Sequence, residues 1–186
     1  MNVLLRRWHA CLLFLIGATI AFGAQAAPPA HIAAELPQAR MAGSGAFRFF
    51  GLHIYDATFW VGPSGYRSAA PTAEKFTLDL RYARAFMGKR IASRSTEEME
   101  RLKLGSVAQR AQWNAKMTAL FPDVVEGTHI TGVYLPNEGA RFYRDGKLLG
   151  DIPDPEFGHA FFAIWLDPKT TGGPLREALL ADAAPR

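Results

Sequence analysis

The sequence has few of the residues from which small catalytic and metal sites are commonly built. Its single cysteine, Cys11, excludes an internal disulfide bond and a thiolate zinc site. The histidines beyond residue 26 are never closely paired, so no two imidazoles have the spacing of a helical metal site. Gly43-Ser44-Gly45 lacks the third glycine of a dinucleotide-binding loop. We therefore predict no metal site and no cofactor.

Acidic residues are absent from the beginning of the chain, up to Glu35. In this segment Arg6 and Arg7 precede an apolar stretch, and Ala24-Gln25-Ala26 follows it. That order is typical of a cleaved secretory signal peptide over residues 1–26, because an apolar run of about 15 residues is shorter than the roughly 20 needed to cross a bilayer. We expect a periplasmic or secreted protein, with an uncleaved membrane anchor as the alternative.

The charge of the remaining chain is close to balanced. Of the 21 Lys and Arg residues two belong to the signal peptide, which leaves 19 against 17 Asp and Glu. This small excess on an exported chain predicts no nucleic-acid partner. Between Arg81 and Arg110 there are eight basic and three acidic residues. This segment is predicted to form a solvated helical face, with contact to an anionic lipid or an acidic ligand as the alternative.

Three prolines predict an extended leader over residues 27–42, followed by one domain over residues 43–182. Alternating apolar residues from Phe76 to Tyr82 have the period of a half-buried strand. Asp145-Gly146 is typical of a β-hairpin turn. Together with further strand patterns, these features indicate an α+β domain in which an antiparallel sheet packs on helices.

Helix-capping patterns predict where several helices begin. Ser95 and Glu98 have the spacing of a capping box, and Ser106 with Gln109 repeats it. Asp154 followed by a proline is typical of an N-cap. Two helices are therefore predicted between the strands, and another after them.

Arg48 and Tyr55 form the candidate ligand site. Residues seven apart in a straight strand face opposite sides, but a one-residue bulge at Gly51 would bring both to the same face. An arginine fork and a tyrosine hydroxyl suit a carboxylate, and the surrounding aromatic residues suit an acyl or aromatic tail. Arg81 is a third candidate for the polar end. The alternative is a core Tyr55 with a solvated Arg48.

Several motifs together resemble the chalcone isomerase-like family of exported bacterial proteins. Their order and spacing cover nearly all of the chain after the signal peptide. The motifs are Gly51-Leu52-His53-Ile54-Tyr55-Asp56-Ala57-Thr58-Phe59-Trp60, Leu80-Arg81-Tyr82, Leu120-Phe121-Pro122-Asp123-Val124, Phe142-Tyr143-Arg144-Asp145-Gly146-Lys147-Leu148-Leu149-Gly150 and Phe161-Phe162-Ala163-Ile164-Trp165-Leu166.

The resemblance implies an open-faced β-sandwich, an antiparallel sheet covered by a layer of helices. The wider superfamily includes plant chalcone isomerases and fatty-acid-binding relatives without known catalysis. In the binding relatives an arginine and a tyrosine hold the carboxylate; Tyr55 matches the tyrosine, whereas the arginine's position aligns best with Phe47. The tyrosine and asparagine that isomerases use are missing from Lys89–Thr96, so we expect no chalcone isomerase activity.

The leading hypothesis is a non-catalytic binder of a small amphipathic anion such as a fatty acid, with Arg48, Tyr55 and Arg81 at the polar end. One alternative is an isomerase or lyase acting on an enone or phenolic substrate. Another is an envelope interaction protein without a ligand, whose basic helical face contacts lipid or protein.

Overall fold

The structure, a computed structural model, describes residues 27–185, so the predicted signal peptide lies outside the described residues. In this part of the chain six strands form one antiparallel sheet, in the same order as in the sequence. The strands are β1 (Arg40–Phe49), β2 (Leu52–Val61), β3 (Phe76–Tyr82), β4 (His129–Leu135), β5 (Gly139–Arg144) and β6 (Lys147–Ile152).

Helices lie on both faces of this sheet, but unequally. Within residues 27–185 they are α1 (Ala30–Glu35), α2 (Gly88–Arg101), α3 (Val107–Leu120), α4 (Pro155–Leu166) and α5 (Gly173–Leu179). The layer from α2 to α5 covers one face, where α4 packs on β4 and β5 while α5 packs on β1 and β2. The predicted α+β fold, an antiparallel sheet with a layer of helices, is confirmed. None of the helices in this described part has the length and apolar character needed to span a membrane.

The side chains of β3 alternate between the two faces of the sheet as predicted, but the strand is not half-buried, because every residue except Arg81 is buried. Phe76 packs edge-on against Phe162 of α4, and both rings are buried. Asp79 faces the other side, where its carboxylate accepts a hydrogen bond of 2.6 Å from Thr131. The apolar side chains of the sheet therefore form the core with the helix layer, and the polar ones form the opposite, outer face.

The hairpin between β1 and β2 corrects the predicted bulge at Gly51. Phe50 and Gly51 instead form the turn between the two strands, with φ of 46° and 78°. The register shift lies further along, because Phe47 pairs with Tyr55 whereas Arg48 pairs with His53. The extra residue is therefore Ile54, between His53 and Tyr55 on β2. Glycine is present at position 51 because the turn needs two residues with positive φ angles.

Helix starts were predicted correctly where the cap is local. Ser106 and Gln109 form the capping box of α3, and Asp154 caps α4. The capping box at Ser95 is wrong, because Ser95 lies inside α2 and its hydroxyl donates to the Ile91 carbonyl. The first amide of α2 is capped instead by Asp123, at 2.8 Å, which lies 35 residues further along the chain.

The predicted extended leader is also wrong, because residues 30–35 form α1. This helix docks on the outer face, where Ile32 and Leu36 pack against Trp60 in a small buried cluster. Glu35 at its end accepts hydrogen bonds from Lys75 and Arg141 at 2.6 and 3.0 Å. Tertiary contacts that a proline-rich sequence pattern does not reveal therefore order this segment.

Candidate functional site

A cavity of about 310 Å³ lies between the helix-facing side of β2 and β3 and helices α2 and α4. The apolar residues of its lining include Phe47, Ile54, Leu80, Phe86, Ile91, Phe121, Ile130, Phe161, Ile164 and Leu175. The polar residues of its lining include Tyr55, Tyr82, Arg90, Arg94, Ser95, Glu98, Thr170 and Thr171. Arg90, Arg94 and Thr171 are exposed, so they mark the side on which the cavity opens.

Tyr55 reaches this cavity because of the register shift in β2. The extra residue brings Ile54 and Tyr55 to the cavity in succession. The Tyr55 ring stacks on Phe47 at 5.2 Å, and its hydroxyl accepts a hydrogen bond of 3.0 Å from Trp165 Nε1. Burial raises the pKa of Tyr55 well above its usual range and outweighs the opposing effect of the Trp165 hydrogen bond. The phenol therefore stays protonated at neutral pH and can donate a hydrogen bond to a ligand.

Tyr82 is a second cavity tyrosine that the sequence interpretation treated only as a strand residue. It lies opposite Tyr55 on β3, with the two rings edge to face at 5.9 Å. The side chain is buried, and its hydroxyl has no hydrogen-bond partner among residues 27–185. Burial raises the pKa of Tyr82 as well. Because the Tyr82 hydroxyl faces the cavity and has no protein partner within the described residues, it is free to donate a hydrogen bond to a ligand acceptor.

Glu98 places a buried carboxylate at the cavity wall. The sequence predicted a solvated helical face for the segment between Arg81 and Arg110, but Glu98 in this segment is only 4% exposed. Its carboxylate accepts hydrogen bonds from Arg94, from Arg101 Nε at 2.8 Å and from Thr171 Oγ1 at 3.3 Å. Two guanidinium groups therefore neutralise its charge, as a buried carboxylate requires.

Arg90 is the exposed cation of the lining without an ion pair in the described part of the chain. It lies one helical turn before Arg94, whose guanidinium is already engaged by Glu97 and Glu98. Arg90 is therefore the group most available to an anion at the cavity opening.

Of the three residues predicted for the site, only Tyr55 lies in the cavity. Arg48 is exposed on the outer face, since its pairing with His53 gives the cavity side of β1 to Phe47. Arg81 is also on the outer face, where its guanidinium lies 3.8 Å from the Asp56 carboxylate. The predicted convergence of Arg48 with Tyr55 is therefore wrong. Arg48 pairs with His53, and the extra residue Ile54 turns Tyr55 to the opposite face of the sheet.

The cavity offers hydrogen-bond donors set in apolar walls. Two protonated phenols and one free guanidinium can donate to an acceptor, whereas the carboxylate is occupied by its own donors. Residues 27–185 hold no cluster of three or more histidine, cysteine or acidic side chains that could bind a metal ion. Such a site is chemically suited to an amphipathic molecule with a hydrogen-bond-accepting head.

Comparison with known proteins places the chain in a family. No curated protein matches its sequence. Its fold is similar to the crystal structure of the Arabidopsis thaliana fatty-acid binding protein AtFAP1, with a TM-score of 0.62, 14% sequence identity, and coverage of 79% of this chain and 89% of that chain. Residues 27–181 match the family described as chalcone isomerase-like. As its motifs predicted, the chain belongs to the chalcone isomerase-like family.

Proposed function

We propose that this protein is a non-catalytic binder of a small amphipathic anion such as a fatty acid. The observation that carries the proposal is an apolar cavity whose free polar groups are donors. Its volume of about 310 Å³ is at the lower end of the roughly 300–1,000 Å³ typical of small-molecule sites. The similar fold of a plant fatty-acid binding protein supports this choice.

The position of the charged groups suggests how the ligand lies. An acyl tail would contact the apolar walls formed by Leu80, Phe121 and Ile130. Its carboxylate would lie towards the opening, where Arg90 supplies a positive charge. Tyr82 adds a hydrogen-bond donor from its buried position in the lining. A charge-assisted hydrogen bond to a guanidinium is stronger than one between neutral groups, so Arg90 supplies the preference for an anion.

Two features of the cavity favour binding over catalysis. A general base must be deprotonated near the operating pH, and burial keeps Tyr55 and Tyr82 in the protonated form. Glu98 accepts hydrogen bonds from two arginines and a threonine, so its carboxylate is not free to accept a proton from a substrate. These residues hold a ligand rather than activate it.

Export completes the proposal. The basic, apolar and small residues of segment 1–26 have the order of a signal peptide. The mature protein is then periplasmic or secreted and begins at Ala27. Amino-terminal sequencing of the protein from a periplasmic fraction tests this directly, and a chain that still begins at Met1 contradicts it.

A displacement titration with a fluorescent fatty acid tests the binding function. We expect Arg90→Gln to weaken fatty-acid affinity by roughly tenfold, because one charge-assisted hydrogen bond is lost. Arg48→Ala and Arg81→Ala are the matched controls, since both remove an exposed arginine outside the cavity, and both should bind as the native protein does.

Three results would contradict the proposed binding in this cavity. Fatty-acid affinity that depends on Arg48 and not on Arg90 would place the site on the outer face. Turnover of a chalcone or another enone, lost in Tyr55→Phe, would make the protein an isomerase. A protein that binds no amphipathic anion at all would point to an envelope interaction protein without a ligand.

A further inference from the structure

The tip of the β1–β2 hairpin exposes three apolar side chains. Phe49, Phe50 and Leu52 are 49%, 91% and 54% exposed, and we call them the hairpin tip. The two phenylalanine rings contact each other edge to face at 4.6 Å. Isolated exposed apolar residues are common on soluble proteins, but three within four positions at the end of a hairpin form a contiguous patch.

Positive charge surrounds the hairpin tip. Arg48 lies on the hairpin itself, Lys89 lies in the first turn of α2, and Arg84 lies in the segment that joins β3 to α2. That segment is tied to the hairpin by the Ala83 amide, which donates to the Ile54 carbonyl at 2.9 Å. All three cations are exposed, and none forms an ion pair within residues 27–185.

Three acidic groups of this region are engaged elsewhere. The Asp123 carboxylate caps the Gly88 amide at 2.8 Å. Glu97 pairs with Arg94 at 3.0 Å, and Asp56 lies 2.9 Å from His53 on the outer face. Glu126 is exposed and has no ion pair within residues 27–185, and the amide of the next residue, Gly127, donates to the Tyr82 carbonyl at 2.8 Å. The three unpaired cations and this one carboxylate therefore have a positive net charge.

The hairpin tip also adjoins the opening of the cavity. The Arg94 guanidinium lies 6.0 Å from the centre of the Phe49 ring, and Arg94 belongs to the cavity lining. Phe47, two residues before Phe49 on the same strand, is in the lining as well. A surface that receives the hairpin tip would therefore lie close to where a ligand enters.

We propose that the hairpin tip docks this protein on an anionic lipid bilayer. Aromatic side chains are favourable at the interface between headgroups and acyl chains, and lysine and arginine beside them are attracted to anionic headgroups. An anionic bilayer is the partner that matches the hairpin tip, because its acyl chains accommodate the apolar side chains and its headgroups attract the unpaired cations beside them. The proposal goes beyond ligand binding, since docking requires only the outer residues of the hairpin and the start of α2.

Vesicle flotation tests the docking. We expect the mature protein to float with vesicles of phosphatidylglycerol and phosphatidylcholine, and not with phosphatidylcholine alone. Phe50→Asp should weaken binding by roughly tenfold or more, since it removes an inserting ring and adds a negative charge. Aspartate tolerates the positive φ at this position, so the variant should fold normally. The double variant Arg84→Glu and Lys89→Glu should also lose binding, and added salt should weaken that of the native protein.

Matched controls separate the hairpin tip from a general effect of charge. Val107→Asp makes the same kind of change at a side chain that is 77% exposed at the start of α3, beyond the opposite end of α2. Lys116→Glu with Lys147→Glu makes the same charge change on exposed lysines outside the cavity lining. Both controls should float as the native protein does.

Equal flotation of the native protein and Phe50→Asp would overturn the proposal, and so would absence of flotation with anionic vesicles. A third outcome would also overturn it: the native protein is a dimer and does not bind vesicles, and Phe50→Asp converts it to a monomer. The hairpin tip would then be a contact between two copies of the chain. Native mass spectrometry of the same samples keeps the two proposals apart, because a protein that binds vesicles but carries no acyl chain contradicts only the ligand function.

Discussion

Tyr55 and Tyr82 are paired residues on adjacent strands that share the cavity but differ in hydrogen bonding. The Tyr55 hydroxyl accepts from Trp165 at 3.0 Å, whereas that of Tyr82 has no partner in the described residues. Removing the Tyr55 hydroxyl therefore leaves the buried Trp165 indole N–H without its acceptor, whereas removing the Tyr82 hydroxyl breaks no hydrogen bond within the described residues. The two positions separate a structural role from a ligand-binding role within one cavity.

Phenylalanine substitutions at Tyr55 and Tyr82 should differ in their effects on stability and on ligand affinity. We expect Tyr55→Phe to lower the free energy of unfolding by about 1–2 kcal/mol, because the Trp165 indole loses its acceptor. Tyr82→Phe should change it by less than about 0.5 kcal/mol, since no protein hydrogen bond is lost, yet weaken fatty-acid affinity by roughly fivefold. Urea unfolding and the displacement titration measure the two quantities.

Tyr66→Phe is the control for this pair. Its ring is buried against Phe59 and Phe76, outside the cavity lining, so its ligand affinity should equal that of the native protein. An equal loss of stability in Tyr55→Phe and Tyr82→Phe would show that the hydrogen-bond assignment is incorrect.

The residue-level prediction from sequence was correct for Tyr55 and failed for Arg48 for one physical reason. Side chains alternate along a strand, so the face of each residue depends on where the register shifts. The glycine suggested a bulge at position 51, but there it supplies a turn, and the shift lies beside Ile54. No local signal in the sequence marks that second position, and Glu98 was likewise missed because its burial depends on α4 and the loop after it.

Among the elements, α1 depends most visibly on charge. Glu35 joins the helix to the outer face through Lys75, Arg141 and Tyr143, whose side chains donate to its carboxylate at 2.6, 3.0 and 2.5 Å. Burial alone would raise the pKa of Glu35, but these donors outweigh it and lower the pKa to about 2. The ionised carboxylate therefore stabilises the folded state.

The stabilisation from Glu35 should depend on pH. Because the folded-state pKa of about 2 lies below the ordinary value of 4.5, the contribution is complete above about pH 4.5 and is lost as the pH falls towards 2. We expect Glu35→Gln to reduce the free energy of unfolding by about 1–3 kcal/mol at pH 7, with the difference from the native protein shrinking below pH 4.5. Denaturant unfolding across pH 2.5–7 measures it.

Glu138→Gln is the matched control, because Glu138 is exposed and has no ion pair within residues 27–185. Its stability should follow that of the native protein at every pH. A Glu35→Gln deficit as large at pH 2.5 as at pH 7 would mean that α1 is held by Ile32 and Leu36 and not by the carboxylate.

Elements were predictable where their signals are local. The capping box of α3, the proline-marked start of α4 and the Asp145-Gly146 turn are each encoded within about four residues. The start of α2 was missed because its cap, Asp123, comes from a distant segment. Helix α1 was missed for the same reason, since its partners lie on β2 and β5 and in the loop before β3.

For the molecule as a whole, the fold could be predicted from the order of strands and helices along the chain. Six antiparallel strands in sequence order need only short connections or a pair of helices between neighbours, so hydrophobic periodicity was sufficient to predict the sheet and its helical layer. The cavity was not predictable in the same way. An internal volume depends on how far α2 and α4 lie from the sheet, and a residue pattern does not contain that distance.

The occupant of the cavity is best tested by native mass spectrometry of the mature protein purified from its own envelope fraction. A double variant, Ile54→Trp with Ile91→Trp, fills the cavity from half-buried positions on β2 and α2. Thr58→Trp is its control, because it adds the same bulk at a half-buried position of β2 outside the cavity lining. Circular dichroism verifies that all three proteins are folded.

We predict an additional mass corresponding to an acyl chain on the native protein and on Thr58→Trp, and its absence from the filled variant. A native protein that carries no additional mass and takes up no fatty acid when one is supplied, or a filled variant that retains the same mass, would contradict a binding function for this cavity.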